Sequence, residues 1–167
     1  DLKFHGEITH LEIGDNNQIR EYSTIHRGTE GGGGVTRIGN NCMLMAYIHV
    51  AHDCILGNNV IMSNAATLAG HVTVGDFAVL GGLSAVHQFT RIGDHSFVGG
   101  KTGVGMDIPP FTLASGERAS LRGLNSVGIS RRGFSKESIS ALKKCYRILF
   151  RSKRGRDEAM AQVEEEY

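Results

Sequence analysis

Residues 56–73, LGNNVIMSNAATLAGHVT, and residues 74–91, VGDFAVLGGLSAVHQFTR, share one pattern: an aliphatic residue or Met opens each group of six. Followed outward, the series runs without a slip through Ile38, Leu44, Val50, Leu56, Met62, Leu68, Val74, Leu80, Val86, Ile92, Val98 and Val104. The position after it is usually small, as in Gly39, Ala51, Gly57, Ser63, Ala69, Gly75, Gly81, Gly93, Gly99 and Gly105. A period of six fits neither a helix of 3.6 residues per turn nor an ordinary hairpin sheet. It predicts a mainly β fold, a parallel β-helix whose short strands and tight turns coil round a triangular core. Three hexads make a coil, so residues eighteen apart stack at the strand spacing of about 4.8 Å.

An earlier coil begins its hexads at Ile13, Ile19 and Ile25. The frame then breaks, because the step from Ile25 to Ile38 exceeds two hexads by one residue. Gly28 and the run Gly31 to Gly34 lie inside that break, which predicts a loop over 28–37 ejected from the solenoid. Four regular coils follow, at 38–55, 56–73, 74–91 and 92–109, and Pro109-Pro110 is expected to stop them. The organisation expected is a solenoid over 1–110 and a connecting segment with a helical region over 111–167. Ser135 is placed to cap a helix whose apolar stripe is Ile139, Leu142, Tyr146 and Leu149. Gly155 is expected to end it, and Asp157 to begin a short acidic helix.

Composition bounds the function. Twenty-three glycines suit a fold with a glycine-permissive turn in every hexad. No apolar run approaches a membrane span, and no signal peptide is visible. The chain does not begin with Met, which leads us to expect an excerpt or a processed chain. Three cysteines at unmatched places point to reduced thiols of a cytoplasmic protein. Charge is uneven: Glu117 to Arg156 holds twelve Lys or Arg and two acids, whereas the last eleven residues hold five acids and no base. Such a basic zone suits an acidic partner or a phosphate. Its few aromatics argue against nucleic acid.

The histidines carry the chemistry. His52, His71 and His87 fall near the same corner of successive coils, with Gln88 two layers from His52 and His71 directly over Asp53. His49 lies three residues before His52. Imidazoles, an amide and a carboxylate at one corner do not belong to a core filled by the aliphatic column. They supply a general base near neutral pH, and Gly70 beside them leaves a backbone N–H suited to an oxyanion. Asp53 follows His52 directly, so orienting that ring requires a bend at the corner. Zinc is the competing reading, but the spacing of His49, His52, His71 and His87 lacks the matched set such a site needs, and no metal is expected.

These runs also carry a likeness. Ile48-His49-Val50-Ala51-His52-Asp53-Cys54, Ala69-Gly70-His71-Val72 and Ala85-Val86-His87-Gln88-Phe89 resemble the UDP-N-acetylglucosamine O-acyltransferase family of lipid A biosynthesis. Thr24-Ile25-His26-Arg27-Gly28-Thr29 and Arg131-Arg132-Gly133-Phe134-Ser135 extend the resemblance over nearly the whole chain. It implies a left-handed coil and transfer of a (3R)-3-hydroxyacyl chain from acyl carrier protein to the 3-hydroxyl of UDP-N-acetylglucosamine. His52 would be the base, Asp53 would hold its ring, and Gly70 N–H would bind the oxyanion. His49, His71, His87 and Gln88 would shape the pocket. Asp1, Lys3 and His26 match positions near the nucleotide sugar; Asn125, Arg131 and Arg132 match the uridine and phosphate end. Gly100 matches a position whose bulk limits acyl length, and glycine there leaves room for a longer chain. Arg118 stands at the far end of the same groove, where relatives carry histidine.

The likeness further implies a cytoplasmic homotrimer with sites between neighbouring solenoids. It implies no cofactor beyond the carrier thioester and no covalent intermediate on Cys42 or Cys54. Arg118, Arg122, Lys143, Lys144, Arg147 and Arg151 would meet the acidic carrier. Relatives carry further coils before Asp1 and further helix after Tyr167. Transfer to an amine, on a 3-amino nucleotide sugar or a later lipid A intermediate, is the nearest alternative. A non-catalytic solenoid scaffold is the other.

Overall fold

A computed structural model of the chain describes residues 5–167, so Asp1 and Lys3 lie outside the described residues. The chain divides into two compact units, Asp1–Arg122 and Gly123–Tyr167.

The first unit is a parallel β-helix of three sheets. One stacks His10–Ile13, Val35–Ile38, Ile55–Leu56, Thr73–Val74 and Arg91–Ile92. A second stacks Gln18–Ile19, Met43–Leu44, Ile61–Met62, Val79–Leu80, Phe97–Val98 and Thr112–Ser115. The third stacks Thr24–Ile25, His49–Val50, Thr67–Leu68, Ala85–Val86 and Gly103–Val104. From Ile13 to Val86 each hexad opener pairs with the opener one coil on, as in Leu44 with Met62, Val50 with Leu68 and Val74 with Ile92. From Ile38 to Val104 these side chains are at most 3% exposed. A second buried column lies two positions earlier, where alternation turns every other side chain inward: Cys42, Ile48, Cys54, Val60, Ala66, Val72 and Ala78. Two cysteines are therefore core residues. Burial pushes the Cys54 thiol up to about 11, so it is no nucleophile near neutral pH.

The turns overturn the expectation about glycine. Left-handed backbone recurs at Asn41, Tyr47, Asp53, Asn59, Ala65, His71, Phe77, Leu83 and Phe89, with φ between 57° and 64°. Such a conformation costs a non-glycine residue about 1–2 kcal/mol. Stacking down the corners offsets it: Tyr22 on Tyr47 with ring centroids at 4.8 Å, Phe77 on His95 at 4.8 Å, and His71 on Phe89 at 4.5 Å. The hexad glycines serve another need. A Cβ on Gly39 would lie 2.6 Å from the Gly57 carbonyl oxygen of the next coil. Side chains of Asn40, Asn58, Asp76 and Asp94 form a ladder there, each Oδ1 accepting a backbone N–H from the coil before at 2.6–2.9 Å.

Two irregular segments differ from expectation. The ejected loop is shorter than 28–37, because Val35–Ile38 is a strand paired with His10–Ile13, and Glu30–Gly32 forms a 3-10 turn. Ile13 pairs with Ile38, so this coil holds 25 residues where the regular coils from Ile38 to Ile92 hold 18. Pro109-Pro110 does not stop the solenoid either. Phe97 pairs with Leu113 and Val98 with Ala114. Proline lacks an N–H but tolerates a turn, so the pair shortens the coil and stacking continues to the end of the first unit.

In the second unit, Asn125 caps α1 (Ser126–Arg131) by accepting the Gly128 N–H at 3.1 Å. Ser135 caps α2 (Lys136–Arg151) through the Ser138 N–H. The expected stripe buries Tyr146. Gly155 caps the start of α3 (Arg156–Glu166), while α2 already ends at Arg151.

Candidate active site

The bend required between His52 and Asp53 exists, because Asp53 adopts left-handed backbone with φ 60°. Its N–H donates to the Thr36 hydroxyl at 2.8 Å, and its carboxylate folds back under the preceding ring. His52 Nδ1 lies 2.7 Å from Asp53 Oδ2. With the carboxylate ionised, Nδ1 carries the proton and Nε2 is the basic nitrogen. Thr29 completes the arrangement: its N–H donates to Oδ1 at 2.7 Å and its hydroxyl to Oδ2 at 2.6 Å. Burial of Asp53 pushes its carboxyl up. The Thr29 bonds, the His52 bond and the His71 charge more than offset this and hold it below its ordinary value.

The corner column places His71 one coil above. His71 Nε2 is 3.8 Å from Asp53 Oδ2, and its ring meets His52 edge-on at 5.1 Å. Phe89 stacks on the far face of His71. Gly70 abuts the base: a Cβ there would lie 2.7 Å from His52 Cε1 and 2.9 Å from Nε2. Any side chain would displace the imidazole. A cavity of about 370 Å³ opens beside these residues, lined by His52, His71, Phe89, Thr29, Glu30 and Glu7. Donor atoms of His52, Asp53 and His71 lie within 4.8 Å of one another, a grouping able to hold a metal ion that spacing alone did not reveal. Thr29 and His52 already engage both oxygens of that carboxylate, which fits an oriented base.

His87 does not join this cluster. It lines a second cavity of about 480 Å³, with Ala85, Val86, Val104, Met106 and Arg118. Its backbone N–H still bonds the Val104 carbonyl at 2.8 Å, so it extends the strand instead of turning the corner. Gln88 follows it and presents its carbonyl to His87 Nδ1 at 3.2 Å. His26 and His49 form a separate pair, rings edge-on at 4.8 Å, with Thr24 Oγ1 2.8 Å from His49 Nδ1. Gly100 is exposed at a turn. Asn125, Arg131 and Arg132 belong to the second unit, where Asn125 is a buried cap and both arginines are exposed. Sequence reading missed Thr29, which sits in the break where eighteen-residue stacking gives no guide. It also passed over Phe89 as a site residue, although Phe89 follows His71 by that same interval.

Burial, and then His26, hold the His49 imidazole below its ordinary value. His49 and Asp53 thus both bind fewer protons folded than unfolded. The stability each contributes is present above its unfolded value and is lost as pH falls towards its folded one. The urea midpoint is expected to fall first below the ordinary histidine value of 6.5 and again below the ordinary carboxyl value of 3.8. His49→Gln should flatten the first decline and leave the second. A first decline of wild-type size in that variant would contradict the assignment.

The coil of stacked hexads makes the chain a hexapeptide-repeat protein. Residues 36–70 match the model of the bacterial transferase hexapeptide, and residues 107–167 match that of UDP-N-acetylglucosamine O-acyltransferase, domain 2. The chain belongs to the UDP-N-acetylglucosamine O-acyltransferase family. It is 60% identical to the acyl-[acyl-carrier-protein]–UDP-N-acetylglucosamine O-acyltransferase of Thermodesulfovibrio yellowstonii, over 99% of this chain and 64% of that protein. Against the enzyme of the same name from Anaeromyxobacter, identity is 54% over 99% of this chain and 65% of that one. The UDP-N-acetylglucosamine O-acyltransferase structure from Moraxella catarrhalis superposes with a TM-score of 0.96 at 48% identity, covering 99% of this chain and 64% of that one. The chain spans 59 to 65% of the length of the curated relatives it matches. No described helix is long and apolar enough to cross a membrane.

Proposed function

We propose that this chain carries the acyl-transfer site of an enzyme that moves a (3R)-3-hydroxyacyl group from acyl carrier protein to the 3-hydroxyl of UDP-N-acetylglucosamine. The observation that carries this reading is the oriented His52–Asp53 couple beside Gly70. His52 Nε2 takes the hydroxyl proton as the sugar oxygen attacks the thioester carbonyl. Gly70 N–H, which donates no hydrogen bond among the described residues, faces the tetrahedral oxyanion. Collapse breaks the carbon–sulfur bond, and the imidazolium proton leaves with the carrier's sulfur. The thioester brings its own activation, so no cofactor is needed.

The cavity beside His52 suits the sugar, since Glu7 and Glu30 can accept hydroxyl protons. The second, with Ala85, Val86, Val104 and Met106, suits an alkyl chain, with Arg118 at its wall. His26, His49, Gln88, Asn125, Arg131 and Arg132 are the further substrate contacts in this reading, with Asp1 and Lys3. In the same reading, which follows the family resemblance, the enzyme is a cytoplasmic homotrimer. A Cβ on Gly100 would approach the Gly82 carbonyl oxygen at 3.2 Å and meet little else, so a long side chain would project from the coil. Gly100→Met is expected to shift donor preference to shorter acyl carriers. An unchanged preference would remove Gly100 from the account of chain length.

The test offers UDP-N-acetylglucosamine and its 3-amino analogue, with hydroxyacyl carrier proteins of several lengths. A hydroxylamine-labile ester on the first acceptor is expected. Amide on the second alone would overturn the acceptor, and no product on either would overturn the reading.

A further inference from the structure

The coil containing residues 13–37 is the one with an insertion, and its loop is closed tightly. Gly28 N–H donates to the His10 carbonyl at 3.0 Å, and His10 N–H donates to the Gly34 carbonyl at 2.8 Å. Between those ends, the Gly32 and Gly34 N–H groups both donate to the Thr29 carbonyl, at 3.0 and 2.8 Å. The result is a knot of backbone with Thr29 at its centre. Both donors of Thr29, amide and hydroxyl, point at the Asp53 carboxylate. Gly32 packs on the same group so closely that a Cβ would overlap the carboxylate carbon and oxygens. The Asp53 side chain is fully buried and carries the bond that sets the His52 tautomer.

We propose that Thr29 is a positioning residue for acyl transfer and that the 29–34 turn exists to hold the Asp53 carboxylate. The proposal rests on the reading of His52 as general base. Asp53 has left-handed backbone and a rotatable side chain, so its single bond to His52 cannot fix both partners. Thr29 fixes the carboxylate plane with one donor on each oxygen. The carboxylate then fixes the Nδ1–H tautomer and presents Nε2 to the acceptor. Partners that hold a functional carboxylate or imidazole in this way are worth about 10- to 100-fold in activity by analogy with outer-shell groups at metal sites.

The variants are Thr29→Val, which keeps shape and amide but removes the hydroxyl, Thr29→Ser, which restores it, and Gly32→Ala, which crowds the carboxylate without removing a donor. In the full-length protein, Thr29→Val is expected to lower kcat about 10- to 100-fold with KM little changed, and Thr29→Ser to recover most of it. The second readout is the nitrogen-15 spectrum of labelled histidine side chains, with the His52 signal assigned by His52→Gln. Wild type should show the Nδ1–H tautomer, and Thr29→Val and Gly32→Ala a mixture. Wild-type kcat in Thr29→Val, a loss confined to KM, failure of Ser to rescue, or an unchanged tautomer would each overturn the proposal. The tautomer measurement needs no turnover. An inactive wild-type protein would therefore defeat the proposed function while still deciding whether Thr29 orders the pair.

Discussion

Replacing His52 with alanine is expected to lower kcat for acyl transfer by about 10²- to 10⁴-fold, with little loss of stability. The two halves of this expectation have separate causes. Neither neighbour of the His52–Asp53 couple replaces it as the oriented base: His71 turns its Nε2 towards Asp53 at 3.8 Å, and burial keeps Cys54 a protonated thiol. Stability survives because the imidazole is partly exposed. Its removal also leaves Asp53 with both Thr29 bonds and no orphaned carboxylate oxygen. Steady-state kinetics beside thermal melting would read both. A kcat within a few-fold of wild type would remove His52 from the chemistry. A collapsed melting temperature would make it a structural residue.

Leu68→Ala should have the largest effect on folding, about 2–5 kcal/mol. Leu68 is fully buried and stacks between Val50 below and Val86 above. A solenoid has no second core to take up the loss, because each coil rests only on its neighbours. The cavity would sit one residue before the Ala69-Gly70-His71 segment, so the site should loosen as the coil does. Thr67→Ala, on the outward face of the same strand, is the control and should cost far less. Equilibrium urea unfolding compares them. Equal midpoints for the two variants would mean that the aliphatic column is not what holds the coils together.

Much of this was legible because a β-helix repeats. The interval of six residues gave the strands, and eighteen gave the neighbours, so His71 over Asp53 and Phe89 over His71 could be read by counting. Counting failed where the repeat fails. Residues 28–34 have no partner at eighteen, and the donors of Thr29 on Asp53 span 24 positions. Pro109-Pro110 reads as a stop from local backbone rules, yet pairing of Phe97 with Leu113 continues beyond it. The glycine pattern was visible but its cause was not. Close approach between coils and left-handed φ both favour glycine, and only coordinates separate the two. His87 shares the corner in projection, but one residue of offset leaves it in the strand direction, facing another cavity.

The most direct test of the central claim is a crystal structure of the protein with UDP-N-acetylglucosamine bound, read for one distance. The account predicts the sugar 3-oxygen within about 2.6–3.2 Å of His52 Nε2, with Nδ1 still on Asp53. A sugar seated elsewhere, or one presenting a different hydroxyl to His52, would contradict it.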